Sequence, residues 1–425
     1  MMKLLVILWF IASGALAVEL SPQEKEIVEK SEQYALISKL YGQGIIDSSL
    51  RVYVEDEDTS YRIWNDTRKI GASYLIEPKC EFILSDKTRP CRSNRTEVFL
   101  NKSGDIEVLS IKSEKILDLE FINKFKDLKS LMITLDRDVS PLKVVDISSL
   151  NELIYLELNL IESDKVVLPN PSKLKSISSE TLIAHRLNNL YNQVNLEYFA
   201  VNGTVSNLHE MTQSKNLQVL VAPSYEVPHA NFHLSSFPHL KYLRLKPEKE
   251  FYSLPFSELN DLKALHVRSY DATQVDLPSS LEYLEIEGLE NKKMPNLSAL
   301  RQLKTLKVVY TNIDEIGDLR SNTNLRTLEV SSSHVSKIPN LSFLENLYQL
   351  DLAGNNISVV ENLNDLKGIK DIVLINNPIE KFELSDIDNL KFVSILHNYT
   401  HPTDPDFRYK VRNLKRFGSF ERPKR

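Results

Sequence analysis

One six-residue beat, L-x-x-L-x-L, constrains this chain more than any other feature. It reads clearly from Leu153 (LIYLEL), Leu240 (LKYLRL), Leu262 (LKALHV), Leu281 (LEYLEI), Leu303 (LKTLKV), Leu325 (LRTLEV) and Leu347 (LYQLDL). Weaker copies start at Ile106, Leu128, Leu174, Leu196, Leu217, Ile369 and Leu390, giving fourteen starts spaced 19 to 25 residues apart. A regular period in that range is the mark of a solenoid.

The second and third leucines of each copy alternate as in a short strand, so both point to one side, and the first packs beneath the approach to it. Asn355 and Asn377 lie eight residues after their template starts, where an amide can bond a turning backbone. Ile357 and Ile379 then dip back into the core before a return segment such as VVENLNDLKGI. No single copy can bury its own leucines, so the copies must stack, and their strands must form a parallel sheet.

This pattern resembles the leucine-rich repeat family, in its class of about 22 residues per repeat, over roughly residues 105–398. The resemblance implies an α/β solenoid: a horseshoe with a parallel β-sheet on the concave face and short helical or irregular turns on the convex side. The family's asparagine stands at Asn355, Asn377 and Asn398, and Thr311 and Ser333 take its place in the two preceding copies. The tail, HNYTHPTDPDFRYKVRNLKRF, is similar to the terminal cap of some short-repeat members, and a cap is what the last rung's leucines require. The four-cysteine caps common on extracellular members are missing.

The expected organisation is a signal peptide over 1–17, an N-terminal cap over 18–104, repeats over 105–397, and a C-terminal cap with a basic tail over 398–425. Lys3, the apolar run Leu4 to Ala12 and the small-x-small site Ala15-Leu16-Ala17 form the leader. No other apolar run reaches the length of a bilayer span, so the expected product is secreted and extracellular, without a transmembrane anchor. In the N-terminal segment, Ser21-Pro22-Gln23-Glu24 reads as a capping box opening one helix to about Tyr41, and LRVYVE from Leu50 as a strand. This segment could also carry an activity of its own.

Cys80 and Cys91 are the only two cysteines, and in an oxidising compartment they are expected to form one disulfide. Eight N-x-[ST] sequons, at Asn65, Asn94, Asn101, Asn202, Asn296, Asn340, Asn356 and Asn398, are expected glycosylation sites. Asn296 and Asn340 stand two repeats apart on the return side, whereas a glycan on Asn202 would cover the middle of the concave face. The formal charge of -6 disfavours a nucleic-acid partner.

The sequence contains no GxSxG, HExxH or glycine-rich phosphate loop. His229 and His233 have metal-ligand spacing but no evident third ligand, so no metal, cofactor or catalytic residue is expected. What such a fold offers is surface. Template positions 3, 5 and 7 face out of the concave sheet, and Tyr155, Tyr198, Tyr242 and Tyr283 recur at position 3 of alternate copies. Strands about 4.8 Å apart would set these rings roughly 10 Å from one another.

Beside the tyrosines, Arg244, Lys246, His266 and Arg268 form a basic cluster on two copies, followed by Glu285 and Glu287 on the next. Tyrosine and arginine are the types that anchor interfaces. The expected function is recognition of an extracellular protein or peptide through Tyr242, Arg244, Lys246, His266, Arg268, Tyr283, Glu285 and Glu287, as in immune recognition, adhesion or ligand capture. The alternative is a non-catalytic regulatory or inhibitory subunit of a secreted enzyme. The oligomeric state is not written in the sequence.

Overall fold

The computed structural model describes residues 22–42, 50–54, 62–65, 80–84, 87–90, 96–113, 119–135, 142–159, 162–179, 182–202, 204–205, 207–226, 233–246, 256–268, 276–288, 292–382 and 392–394. The chain divides into two compact units, Met1–Tyr225 and Glu226–Arg425.

In the first unit, strands β1 (Leu50–Val54), β2 (Thr96–Leu100), β3 (Ile106–Ser113), β4 (Ser130–Leu135), β5 (Tyr155–Asn159), β6 (Ser176–Ser179), β7 (Tyr198–Val201) and β8 (Val219–Glu226) lie side by side in chain order. All neighbours are parallel except β2 and β3, which pair antiparallel. The second unit holds β9 (Tyr242–Lys246), β10 (Ala264–Arg268), β11 (Tyr283–Glu287), β12 (Thr305–Val309), β13 (Thr327–Ser331), β14 (Gln349–Asp351), β15 (Asp371–Val373) and β16 (Phe392–Ser394). These too follow chain order and pair only in parallel. Both units are parallel β-solenoids of stacked coils.

From β4 to β16, every strand starts two residues after the first leucine or isoleucine of a template copy. That first residue is 0% exposed in every copy from Leu128 to Ile369. Except at Leu174, whose N–H donates to Ser172 Oγ (3.1 Å), its N–H donates to the carbonyl three residues earlier, as from Leu153 to Leu150 (3.1 Å), Leu303 to Leu300 (3.1 Å) and Leu347 to Leu344 (2.9 Å). The tight turn so made swings the chain into the strand. Within the strand, alternate side chains such as Leu284 and Ile286 point to the core, and the residues between them face outward.

Where the residue three before the template is polar, it bonds the previous rung. Gln193 Nε2 donates to the Pro169 carbonyl (3.1 Å), Ser214 Oγ to the Gln193 carbonyl (2.8 Å), and Asn322 Nδ2 to the carbonyls of Leu297 and Leu300 (3.0 and 2.9 Å). All three side chains are buried, and a buried polar group needs such partners. The asparagine turn works in the same way. Asn355 Nδ2 donates to the Val330 and Leu352 carbonyls (2.7 and 2.9 Å), and its Oδ1 accepts from Val335 N (3.1 Å). Asn377 repeats this with Leu352, Leu374 and Ile357, while Thr311 and Ser333 share one hydroxyl bond of 2.7 Å.

Two local expectations are corrected. The first helix is two: α1 (Pro22–Lys30) and α2 (Glu32–Gly42). Buried Ser31 separates them, its Oγ accepting from Tyr34 N (3.0 Å) as an N-cap and donating to the Gly104 carbonyl (2.6 Å). The return side of the first unit is more regular than expected. Leu142–Asp146, Glu162–Val167, Ile183–Asn188 and Thr204–Val205 form a second parallel sheet there. The buried row Val145, Val166 and Leu187, in register from strand to strand, holds it to the core. The expected strand from Leu50 is β1. Cys91 lies outside the described residues, and with it the proposed disulfide.

Candidate functional site

Because every rung spends its inward positions on the same leucines, its outward positions are free to differ. They differ sharply between the units. The fifth template position in the first unit runs Ser110, Met132, Glu157, Ser178, Ala200 and Val221. Except for Glu157 these are small or apolar, and all of those five are buried. On the first six strands of the second unit the same position runs Arg244, His266, Glu285, Lys307, Glu329 and Asp351, all charged or titratable, before Val373 and Ser394 end the row.

The structure brings the sequence-predicted residues of β9, β10 and β11 together in this row and the rows beside it. His266 Nε2 lies 3.7 Å from Glu285 and 3.6 Å from Glu287, and Arg268 lies 3.4 Å from Glu287. The Tyr283 hydroxyl donates to Glu285. The expected basic cluster is therefore half of a mixed network whose carboxylates come from β11. Arg244 Nε is buried there without a hydrogen-bond partner. For Lys246, only the backbone is among the described residues.

Burial sets the electrostatics. It holds His266 below its ordinary value, with Arg244 adding to the effect and the two glutamates opposing it. Desolvation pushes the Tyr242 phenol up to about 12. It raises Tyr283 further, with the bond to Glu285 adding to the effect. The imidazole is thus neutral at physiological pH and both phenols keep their protons, so the face presents donors beside carboxylates.

The tyrosines are more recessed than an outward position suggests. Tyr198, Tyr242 and Tyr283 are each only 4% exposed, and Tyr155 is half-buried. The cause is the residue type between them. In the first unit Ser176 pairs with Tyr155 on one side and Tyr198 on the other, and Val219 pairs with Tyr198. In the second unit Ala264 sits between Tyr242 and Tyr283 and is 0% exposed although it faces outward. Each small residue leaves room that the neighbouring rings fill. The tyrosine spacing was legible in the sequence, and the small residues alternating with it were the missed signal.

The other predicted sites are scattered. Asn296 and Asn340 are exposed on the return side, each accepting through Oδ1 from the N–H of the serine two residues on (Ser298, 3.0 Å; Ser342, 2.9 Å). Asn202 and Asn356 are exposed, while half-buried Asn101 accepts from Ser103 N and Asp105 N, both at 2.9 Å. Asn65 ends a short strand, Arg62–Asn65, and Asn94 and Asn398 lie outside the described residues. His229 lies outside them as well. Among the described residues, no group of three or more His, Cys, Asp or Glu side chains could hold a metal ion, and no helix is long and apolar enough to cross a membrane.

Among solved structures, the chain is similar to a leucine-rich repeat protein of Leptospira interrogans, with a TM-score of 0.58 and 18% identity over 74% of this chain and 90% of that one. It is also similar to an internalin of Listeria monocytogenes, with a TM-score of 0.52 and 18% identity over 76% of this chain and 91% of that one. The fold is the leucine-rich repeat fold. No family model and no curated protein matches the chain. Within a leucine-rich repeat frame the strand rows are interchangeable supports, so the chemistry peculiar to this chain is in its outward residues.

Proposed function

We propose that this leucine-rich repeat chain is a secreted, glycosylated, non-catalytic binding protein that recognises a protein or peptide partner through the outward face of β9, β10 and β11. The partner would meet Tyr242, Arg244, Lys246, His266, Arg268, Tyr283, Glu285 and Glu287. One observation carries this reading: the fifth-position row is small or apolar over most of the first unit, yet charged or titratable on six successive strands of the second. The inward leucines of the two units are alike, so folding alone does not demand the difference. Charged groups held part-buried beside phenols lose little freedom when a partner covers them, which favours specific recognition. Exposed Asn296 and Asn340, on the return side, would carry glycans away from that face.

Photo-crosslinking tests the reading. A photoreactive residue at Arg268, and separately at exposed Lys337 on the return side, is carried by the full chain in its own extracellular fluid. Adducts from position 268 that are absent from position 337, and that disappear with Glu287→Ala, support the outward face. Equal adducts from both positions remove it. A stoichiometric enzyme among the adducts would favour the regulatory-subunit reading. Loss of mass on enzymatic deglycosylation, mapped to Asn296 and Asn340, checks the glycans.

A further inference from the structure

In the second unit, the eighth template position falls at Gly288, Tyr310, Ser332, Gly354 and Asn376. All five have left-handed backbone, with φ of 73°, 55°, 52°, 65° and 59°. The ladder between rungs imposes this conformation. The amides at 288, 310, 332 and 354 donate to the carbonyls of Val309 (3.1 Å), Ser331 (3.1 Å), Ala353 (2.8 Å) and Ile375 (2.7 Å) on the next rung. Glycine and asparagine suit such a backbone; an aromatic residue with a Cβ does so least. Tyr310 is nevertheless there, and it is 68% exposed. Neither backbone preference nor burial accounts for it, and strain of this kind is a pointer to function.

The surroundings say what the ring serves. Next to Tyr310 runs a half-buried row of small and aliphatic side chains at the seventh position: Val309, Ser331, Ala353 and Ile375. On the neighbouring rung Gly288 carries no side chain, and a Cβ there would meet nothing nearer than Arg268 Cγ at 3.9 Å. Beneath this row the fifth position places Glu329 and Asp351 on adjacent strands. Lys307 is bound to Glu329 at 3.2 Å. Asp351 accepts from Ala353 N (3.0 Å), and no ion pair neutralises it among the described residues. Two carboxylates thus share one lysine. Burial, reinforced by the charge of Glu329, holds the Asp351 carboxyl above its usual range, which a visiting cation would relieve.

We infer that the edge from Tyr310 to Ile375 is a docking strip for an extended peptide that carries aliphatic side chains next to a lysine or arginine. The aliphatic groups lie along Val309, Ala353 and Ile375 against the Tyr310 ring, and the cation meets Glu329 and Asp351. The strip spans three strand spacings, roughly 14 Å, which matches about four residues of extended chain. This deepens the proposed binding function and rests on it, extending the same outward side toward β15.

The test uses the full chain and three labelled nine-residue peptides: alternating leucine and arginine, alternating leucine and glutamate, and alternating serine and arginine. Fluorescence anisotropy is expected to show the first binding at least tenfold more tightly than either of the others. Tyr310→Gly and Asp351→Asn should each weaken it at least tenfold. Tyr310→Gly should at the same time raise the denaturation midpoint, since it removes backbone strain, so lost binding cannot be ascribed to lost fold. Equal binding of the three peptides, or unchanged binding by Tyr310→Gly, overturns the strip. A dimer of the chain that Tyr310→Gly converts to monomer would place a second copy there and also overturn it. Crosslinks from position 268 that persist while the strip fails would leave the broader binding function standing.

Discussion

Asn355 offers the sharpest test of how the rungs are held together. Its side chain is 4% exposed and closes four hydrogen bonds, three given to carbonyls at 2.7, 2.9 and 3.3 Å and one accepted from Val335 N at 3.1 Å. Asn355→Ala removes all four. At about 1 kcal/mol for each lost bond, with more where the Val335 N–H is left wholly unpaired, the local cost is about 3–4 kcal/mol. A stack of repeats opens locally, so global melting would blur this. Hydrogen exchange reads it directly.

Each 1.4 kcal/mol is a factor of ten, so exchange of Val335 and the flanking amides should quicken on the order of a hundredfold or more. Ile357 N, bound by Asn377 Oδ1 at 3.1 Å, should be less affected. Asn356→Ala, at the exposed neighbouring residue, should change the same amides by less than about 0.5 kcal/mol. Asn355→Asp keeps the acceptor but turns a carboxylate toward the carbonyls. Its folded pKa must lie above the unfolded value, so part of the lost stability returns as the pH falls and is lost again as it rises. Protection of Val335 in Asn355→Ala within threefold of the wild type would refute the claim that this amide locks the rung.

Three further outcomes follow from packing and charge. Gly368→Ala would place a Cβ 2.6 Å from the Glu345 carbonyl oxygen and 3.0 Å from that of Leu347, so adjacent rungs must separate; a loss of about 2 kcal/mol or more is expected by urea titration, against little for Gly317→Ala, whose Cβ meets only the Met294 side chain at 3.4 Å. Ala264→Phe would overfill the space between Tyr242 and Tyr283, lowering stability by about 1–3 kcal/mol and increasing the exposure of both phenols in a tyrosine titration. Burial holds His266 below the ordinary histidine value of about 6.5 despite Glu285 and Glu287, so the unfolded chain takes up its proton first: stability should be level above pH 6.5, fall as the pH drops toward the folded value, and lose that component in His266→Gln.

Much of the frame could be read without coordinates, because a leucine that must be buried in every rung leaves a periodic trace. The strand starts follow that trace from Leu128 to Leu390, and so do the buried amides of Asn355 and Asn377. What escaped was whatever varies from rung to rung. The return sheet over Leu142–Asp146, Glu162–Val167 and Ile183–Asn188 rests on the row Val145, Val166 and Leu187, whose sequence surroundings are dissimilar. Gln193, Ser214 and Asn322 each replace an apolar residue with a differently shaped polar one that bonds backbone, so no common letter marks them. The left-handed column was half visible in Gly288, Gly354 and Asn376, but Tyr310 hid it by being the wrong residue for the conformation.

That contrast separates what builds this molecule from what it presents. In a stacked fold, a position that supports the stack is under the same demand in every rung and converges on one residue type. A position that faces solvent has no such demand, so a coherent run there needs another cause. The first unit fills its fifth position mostly with small or apolar groups, and its tyrosines lie against Ser176 and Val219. The second unit has the same inward leucines, yet it carries Arg244, His266, Glu285, Lys307, Glu329 and Asp351 outward and bears a strained, exposed Tyr310 at the edge. Stability would be better served by copying the first unit's row and placing glycine at 310. A chain that does neither is best understood as holding that surface ready for something else to cover.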